Sequence, residues 1–94
     1  AIEPKQRLFE ALGRVCAPET VLASNTSSLS VSALAAASGR PDRVIGIHFF
    51  NPPAALRLVE VITSTSTSPE TVEAALLPVE TVLSMVGASA TIKG

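Results

Sequence analysis

In a chain that is mostly apolar, three places hold residue types that could do chemistry: His48, Glu60 and the run Asn25-Thr26-Ser27-Ser28. His48 is the only histidine, and it lies inside the apolar run Val44-Ile45-Gly46-Ile47-His48-Phe49-Phe50, just before Asn51-Pro52-Pro53. Glu60 lies in Leu58-Val59-Glu60-Val61-Ile62, where strand alternation puts Leu58, Glu60 and Ile62 on one face. A carboxylate on such a surface costs several kcal/mol when it is buried ionised and unpaired. The partner the sequence offers is His48, twelve residues earlier and one turn away. A histidine held by a carboxylate is an acid/base device: the carboxylate fixes the tautomer and supports the positive imidazole after it takes a proton. Removing a proton from an alcohol as a hydride leaves is one use of it. A lone histidine in a strand is also a common structural residue, and Ser and Thr after a strand are ordinary loop and capping residues. Neither feature is specific by itself.

Ser27, His48 and Glu60 also have the residue types of a hydrolase triad. Ser27, however, lacks the G-x-S-x-G turn that exposes a nucleophile between strand and helix. Cys16, the single cysteine, has no internal disulfide partner, and its place at the end of an apolar-patterned segment marks it as a packing residue. No Cys/His cluster has metal-ligand spacing, so no metal is expected. With a net charge of −1, no Trp, no Tyr and three Phe, nucleic acid has neither an electrostatic footprint nor a stacking platform. No apolar run reaches the roughly 20 residues that span a bilayer, and the start has no signal-peptide pattern. The chain reads as cytoplasmic, without membrane or nucleic-acid partners. Its opening, Ala1-Ile2-Glu3-Pro4-Lys5, has no initiator Met, so it reads as an internal segment.

The elements that must position these residues follow from periodicity and punctuation. Hydrophobic residues make up 47% of the chain and charged residues 16%, a globular composition. Pro4 suits a first helical turn, Leu8, Leu12 and Val15 recur at helical spacing, and Pro18 ends that helix. A short strand over 21–25 ends in the polar run. Ser28 or Ser30 then caps a second helix over 31–37, closed by Gly39, and Arg40-Pro41-Asp42 turns the chain. The run over 44–50 suits a strand covered on both faces, with a further strand over 56–62. Ser68-Pro69-Glu70 reads as cap, first helical position and an acid at the positive helix end. The helix that follows, through Val72, Leu76, Val79 and Leu83, contains Pro78, expected to kink it or mark an irregular turn. Residues 88–92 form a last strand. Alternating strands and helices predict an α/β sheet with crossover helices, its polar residues at the carboxyl ends of strands, where open sheets bind ligands.

Three segments, Leu22-Ala23-Ser24-Asn25-Thr26-Ser27-Ser28-Leu29, Gly46-Ile47-His48-Phe49-Phe50-Asn51-Pro52 and Leu58-Val59-Glu60-Val61-Ile62, resemble the 3-hydroxyacyl-CoA dehydrogenase family in order and spacing. The resemblance covers nearly the whole chain, and the three motifs together are far more specific than any one. It implies NAD-linked oxidation of an L-3-hydroxyacyl-CoA to the 3-ketoacyl-CoA, in fatty-acid or related acyl-CoA breakdown. The family's H-F-F-N-P histidine, the general acid/base, matches His48; its asparagine, lining the same site, matches Asn51. The orienting glutamate of L-V-E-V matches Glu60. The first serine of N-T-S-S, which contacts the substrate oxygen, matches Ser27, and Asn25 of that motif falls at the cofactor. Lys5 resembles a lysine near the cofactor ribose, a position a solvated helix lysine fills equally well.

The resemblance also implies what these residues lack. The family's G-x-G-x-x-G loop and ribose-binding acid do not occur here, and its T-P-G-F-x-x-N-R segment falls after Gly94, ahead of a helical domain that supplies much of the homodimer interface. Pro53-Ala54-Ala55 replaces the usual V-P-x-M, and Ser84-Met85-Val86-Gly87 departs from the usual L-G-K run. Residues 1–94 therefore read as the second half of a Rossmann-type NAD-binding domain, a short, mostly parallel sheet with flanking helices. Alone they are expected to be inactive, because the pyrophosphate loop anchors NAD. A non-catalytic module that kept the sheet, or part of a multifunctional β-oxidation protein, are the alternatives.

Overall fold

The computed structural model describes residues 2–25, 27–49, 58–85 and 89–93. The chain runs α1 (Glu3–Val15), β1 (Leu22–Ser24), α2 (Ser28–Ser38), a 3₁₀ turn (Pro41–Arg43), β2 (Val44–Phe49), β3 (Leu58–Ile62), α3 (Pro69–Met85) and β4 (Ser89–Lys93). The four strands form one sheet in the order β1-β2-β3-β4. Its outer joints, β1 with β2 and β3 with β4, are parallel, and the middle one is antiparallel. Both parallel joints are bridged by helices, α2 and α3. Only residues 50–57 separate β2 from β3, fewer than the dozen or so a parallel crossover needs, so the chain must turn back antiparallel.

Helices cover both faces of the sheet. On one face Leu22, Val44 and Ile62 pack with Phe9 of α1 and Val31, Leu34 and Ala35 of α2. On the other, Ile45 and Val61 pack with Ala75 of α3, flanked by Val72 and Leu76. This double cover explains the unbroken apolar run in β2, whose Val44 and Ile45 point to opposite faces and are both fully buried.

The inward face of α1 differs from the expected stripe. Leu8 and Val15 are 54% and 78% exposed, whereas Phe9 is buried and Ile2, Leu12 and Cys16 pack around it. The reason is Gly13: a Cβ there would lie 1.8 Å from the carbonyl oxygen of Ser38, so α2 can approach α1 only along the stripe that holds this glycine. Cys16 packs against the core, as read from its position. Arg40, read only as a turn residue, closes α1: its guanidinium donates to the carbonyls of Gly13 (2.7 Å), Cys16 (2.9 Å), Thr20 (3.1 Å) and Ala17. Gly13 lies in the last turn of α1 and Cys16 is its C-cap, so a cation there complements the helix dipole, while the bonds to Ala17 and Thr20 tie down the loop beyond.

Ser27, rather than Ser28 or Ser30, is the N-cap residue of α2, and its side chain makes no capping bond. Gly39 ends the helix with φ 75°, the left-handed conformation that favours glycine. The cap of α3 is as expected: the Thr71 N–H donates to Ser68 Oγ at 3.2 Å, with Pro69 and Glu70 in the first turn. Buried Thr71 also donates its hydroxyl to the Asp42 carbonyl at 2.6 Å, tying α3 to the 3₁₀ turn. α3 stays helical across Pro78, which lacks the N–H that would bond the Ala74 carbonyl. Among the described residues no helix is long and apolar enough to cross a membrane, and no three side chains group to hold a metal.

Candidate active site

His48 is the next-to-last residue of β2 and stands directly opposite Glu60 of β3. Opposed residues of an antiparallel pair share a face, with Cβ atoms about 4.5–5.5 Å apart, so the backbone alone brings an imidazole to a carboxylate. The side chains meet, His48 Nδ1 to Glu60 Oε1, at 3.4 Å. Glu60 is the more enclosed, its side chain 19% exposed against 45% for His48. Buried Ile62 lies beside it on the same face, so the carboxylate sits where water is scarce and its partner is open to solvent. An apolar base, a fixed carboxylate and a reachable imidazole make a pair that can handle a proton, with Nδ1 facing Glu60.

The sheet topology gathers further polar residues at the same edge. β1 and β2 run parallel, so both end there, and β3 begins there. Asn25 follows the last residue of β1 and is exposed. Ser27 is also exposed and stands before α2 as its N-cap residue; its carbonyl accepts the Val31 N–H at 2.9 Å, and its Oγ donates to Ser30 Oγ at 3.4 Å. Its hydroxyl is therefore not spent on the cap, unlike that of Ser68. Lys5 lies on the exposed side of α1 and is not part of the His48–Glu60 pair. Thr26, Asn51 and the turn at 51–53 lie outside the described residues. On the far side of Glu60 from His48 the register places Thr91 of β4. Nothing along the chain signals this neighbour, because the offset between two parallel strands joined through a long helix cannot be counted from the residues alone.

The family model for the 3-hydroxyacyl-CoA dehydrogenase NAD-binding domain matches residues 1–86. A probable 3-hydroxybutyryl-CoA dehydrogenase of Bacillus subtilis (strain 168) is 54% identical over 67 residues, covering 71% of this chain and 23% of that protein. The 3-hydroxyadipyl-CoA dehydrogenase of Escherichia coli (strain K12) is 49% identical over 72 residues, covering 77% of this chain and 15% of the relative. Among solved structures, FadB2 of M. tuberculosis superposes over 98% of this chain and 32% of its own, with a TM-score of 0.81 at 38% identity. This chain spans less than a quarter of the length of either sequence relative. A Rossmann-type sheet with helices on both faces and a matching family model over nine-tenths of its length place the chain in the NAD-binding domain of the 3-hydroxyacyl-CoA dehydrogenase family.

Proposed function

We propose that these residues are the second half of the NAD-binding domain of a longer enzyme that oxidises L-3-hydroxyacyl-CoA to 3-ketoacyl-CoA, and that they carry its proton-transfer machinery. The observation that carries this reading is the register of His48 against Glu60, which puts an acid/base pair at the ligand-binding edge of the sheet. The chemistry of the donor set fits NAD. An imidazole and a carboxylate can hold and move a proton but cannot accept a hydride, so alcohol oxidation at this pair needs a separate hydride acceptor. NAD, when bound, supplies that acceptor.

In the proposed reaction the substrate's C3 hydroxyl lies against His48 Nε2. The hydroxyl proton passes to Nε2 as the C3–H bond breaks and the C=O bond forms. Nδ1–H donates to Glu60 Oε1 throughout, and the carboxylate balances the positive charge that develops on the ring. The ring then returns its proton to solvent. At 3.4 Å the contact is longer than the usual charge-assisted bond of about 2.7–2.9 Å, and catalytic bonds of this kind tighten when substrate is in place. Ser27 donates to the substrate oxygen, and Asn51 lines the same site. Asn25, beside the end of β1, and Lys5 would hold the cofactor. We also infer that the complete enzyme is a cytoplasmic homodimer, checked by sedimentation at twice the protomer mass.

The test is His48→Gln in the full-length enzyme, assayed with acetoacetyl-CoA and NADH. Turnover should fall roughly 10²- to 10⁴-fold with the melting temperature unchanged. A variant that turns over at the wild-type rate would remove the dehydrogenase reading and leave a binding module.

A further inference from the structure

We propose that Ser24 is a further binding residue of this site, its hydroxyl bonding the carboxamide of the cofactor's nicotinamide ring. This rests on the dehydrogenase reading above. Ser24 is the last residue of β1, at the edge where β2 also ends. The register sets it opposite Gly46, and Gly46 stands two residues before His48. Residues two apart along a strand share a face, as do residues paired across strands, so Ser24 lies on the face that holds His48 and Glu60. Strands about 4.8 Å apart with a rise of about 3.3 Å per residue put the Cα atoms of Ser24 and His48 roughly 8 Å apart on the diagonal. Gly46 is the only residue of β2 between them on that face, and it has no side chain.

Ser24 is half-buried, and its hydroxyl makes no hydrogen bond among the described residues. Alanine would fit the strand end equally well and leave no polar group to satisfy, so the hydroxyl is what sets this residue apart. The reaction supplies a partner for it. Hydride leaves the carbon whose hydroxyl His48 serves, and reacting atoms must come within about 3–3.5 Å. The nicotinamide ring therefore has to lie against that carbon, beside His48. Its carboxamide is carried on the ring atom next to the hydride acceptor, so this group also falls close to His48. A carboxamide has an acceptor oxygen and a donor NH₂, and a serine hydroxyl can serve either. A bond there also stops the ring from turning over, which fixes the face it shows to the substrate.

The experiment uses the full-length enzyme and compares S24A, S24T and H48Q. Each is titrated with NADH and with ADP-ribose, which has no nicotinamide, and assayed with acetoacetyl-CoA. S24A should raise the Kd of NADH roughly 2- to 10-fold, the effect of losing one hydrogen bond, while the Kd of ADP-ribose and the melting temperature hold. S24T keeps the hydroxyl and should recover most of the loss. Unchanged NADH affinity in S24A beside an inactive H48Q would overturn the role of Ser24 and leave the dehydrogenase reading standing. An active H48Q would overturn both. A loss that S24T does not recover, or that weakens NADH and ADP-ribose alike, would assign Ser24 to packing and overturn the proposal. A change confined to the KM of acetoacetyl-CoA would assign it to the substrate and overturn the proposal as well. Should S24A fail to fold, Ser24→Cys makes the same comparison.

Discussion

Glu60 and Ser27 do different work at the level of single residues, and substitutions should separate them. Glu60→Gln keeps the shape and an acceptor for Nδ1–H but removes the charge that balances the imidazolium. In the full-length enzyme kcat should therefore fall roughly 10- to 100-fold with KM little changed, read from steady-state kinetics. Ser27→Ala should remove the bond proposed to the substrate oxygen, about 1 kcal/mol and so several-fold in kcat/KM. An N-cap serine ordinarily contributes about 1 kcal/mol to stability as well. Ser27 makes no capping bond, so the alanine variant should melt within a degree or so of wild type, which calorimetry checks. A clear drop in melting temperature would mean that Ser27 serves the helix instead. The pairing of His48 with Glu60 was legible in the sequence because the two strands are joined by one short turn and His48 is the polar residue across it that a carboxylate on an apolar face would need. The cap was not: Ser27, Ser28 and Ser30 have the same chemistry, and only the backbone angle of the first helical residue chooses among them.

Two contacts settle how the helices seat on the sheet. Gly13 lets the backbone of α2 touch that of α1, and an added methyl at 1.8 Å from the Ser38 carbonyl has no flexible neighbour to push aside. Gly13→Ala gains helix propensity of about 1 kcal/mol in α1. It must also part the helices, an overpacking cost of about 1–3 kcal/mol or more. The crossing should win, and the melting temperature should fall. A rise would show that the helices separate at little cost. Arg40 holds the same junction from the far end, its one planar group serving carbonyls on residues 13, 16, 17 and 20. Arg40→Lys should be destabilising despite the retained charge, since an ammonium has three donors and no fork. Thermal unfolding of the two variants reads both effects. These contacts explain where periodicity misled. Leu8, Leu12 and Val15 make as good a stripe as Ile2, Phe9, Leu12 and Cys16, and hydrophobicity cannot rank them. What decides is the absence of a side chain at residue 13. A single glycine in a helix looks like a cost in sequence; its benefit shows only once the second helix is in place. Arg40 was missed similarly, because a partner set 20 to 27 residues away has no local signature.

For the molecule as a whole, the question is what these residues can do alone. They hold the His48–Glu60 pair and one edge of a sheet, and their five glycines, at 13, 39, 46, 87 and 94, form no G-x-G-x-x-G. Backbone N–H groups of such a loop at a helix N-terminus supply the main anchor for a dinucleotide pyrophosphate. The surface fits the same division of labour. Leu8, Val15, Leu29 and Leu77 are each more than half exposed, on three different helices. With a core split between two faces of a four-stranded sheet, 94 residues are only marginally able to hold their shape, since a chain this size buries roughly two-thirds of its unfolded surface. The isolated chain should therefore show no NADH oxidation above background with acetoacetyl-CoA, and it should unfold at a lower denaturant concentration than the same segment within the full-length enzyme. The comparison needs both proteins in one assay, with His48→Gln full-length enzyme as the background. Isolated-chain turnover within tenfold of the full-length rate would show that NAD binds productively without the glycine loop, and the cofactor site would have to be sought among Asn25, Ser27 and the first turn of α2.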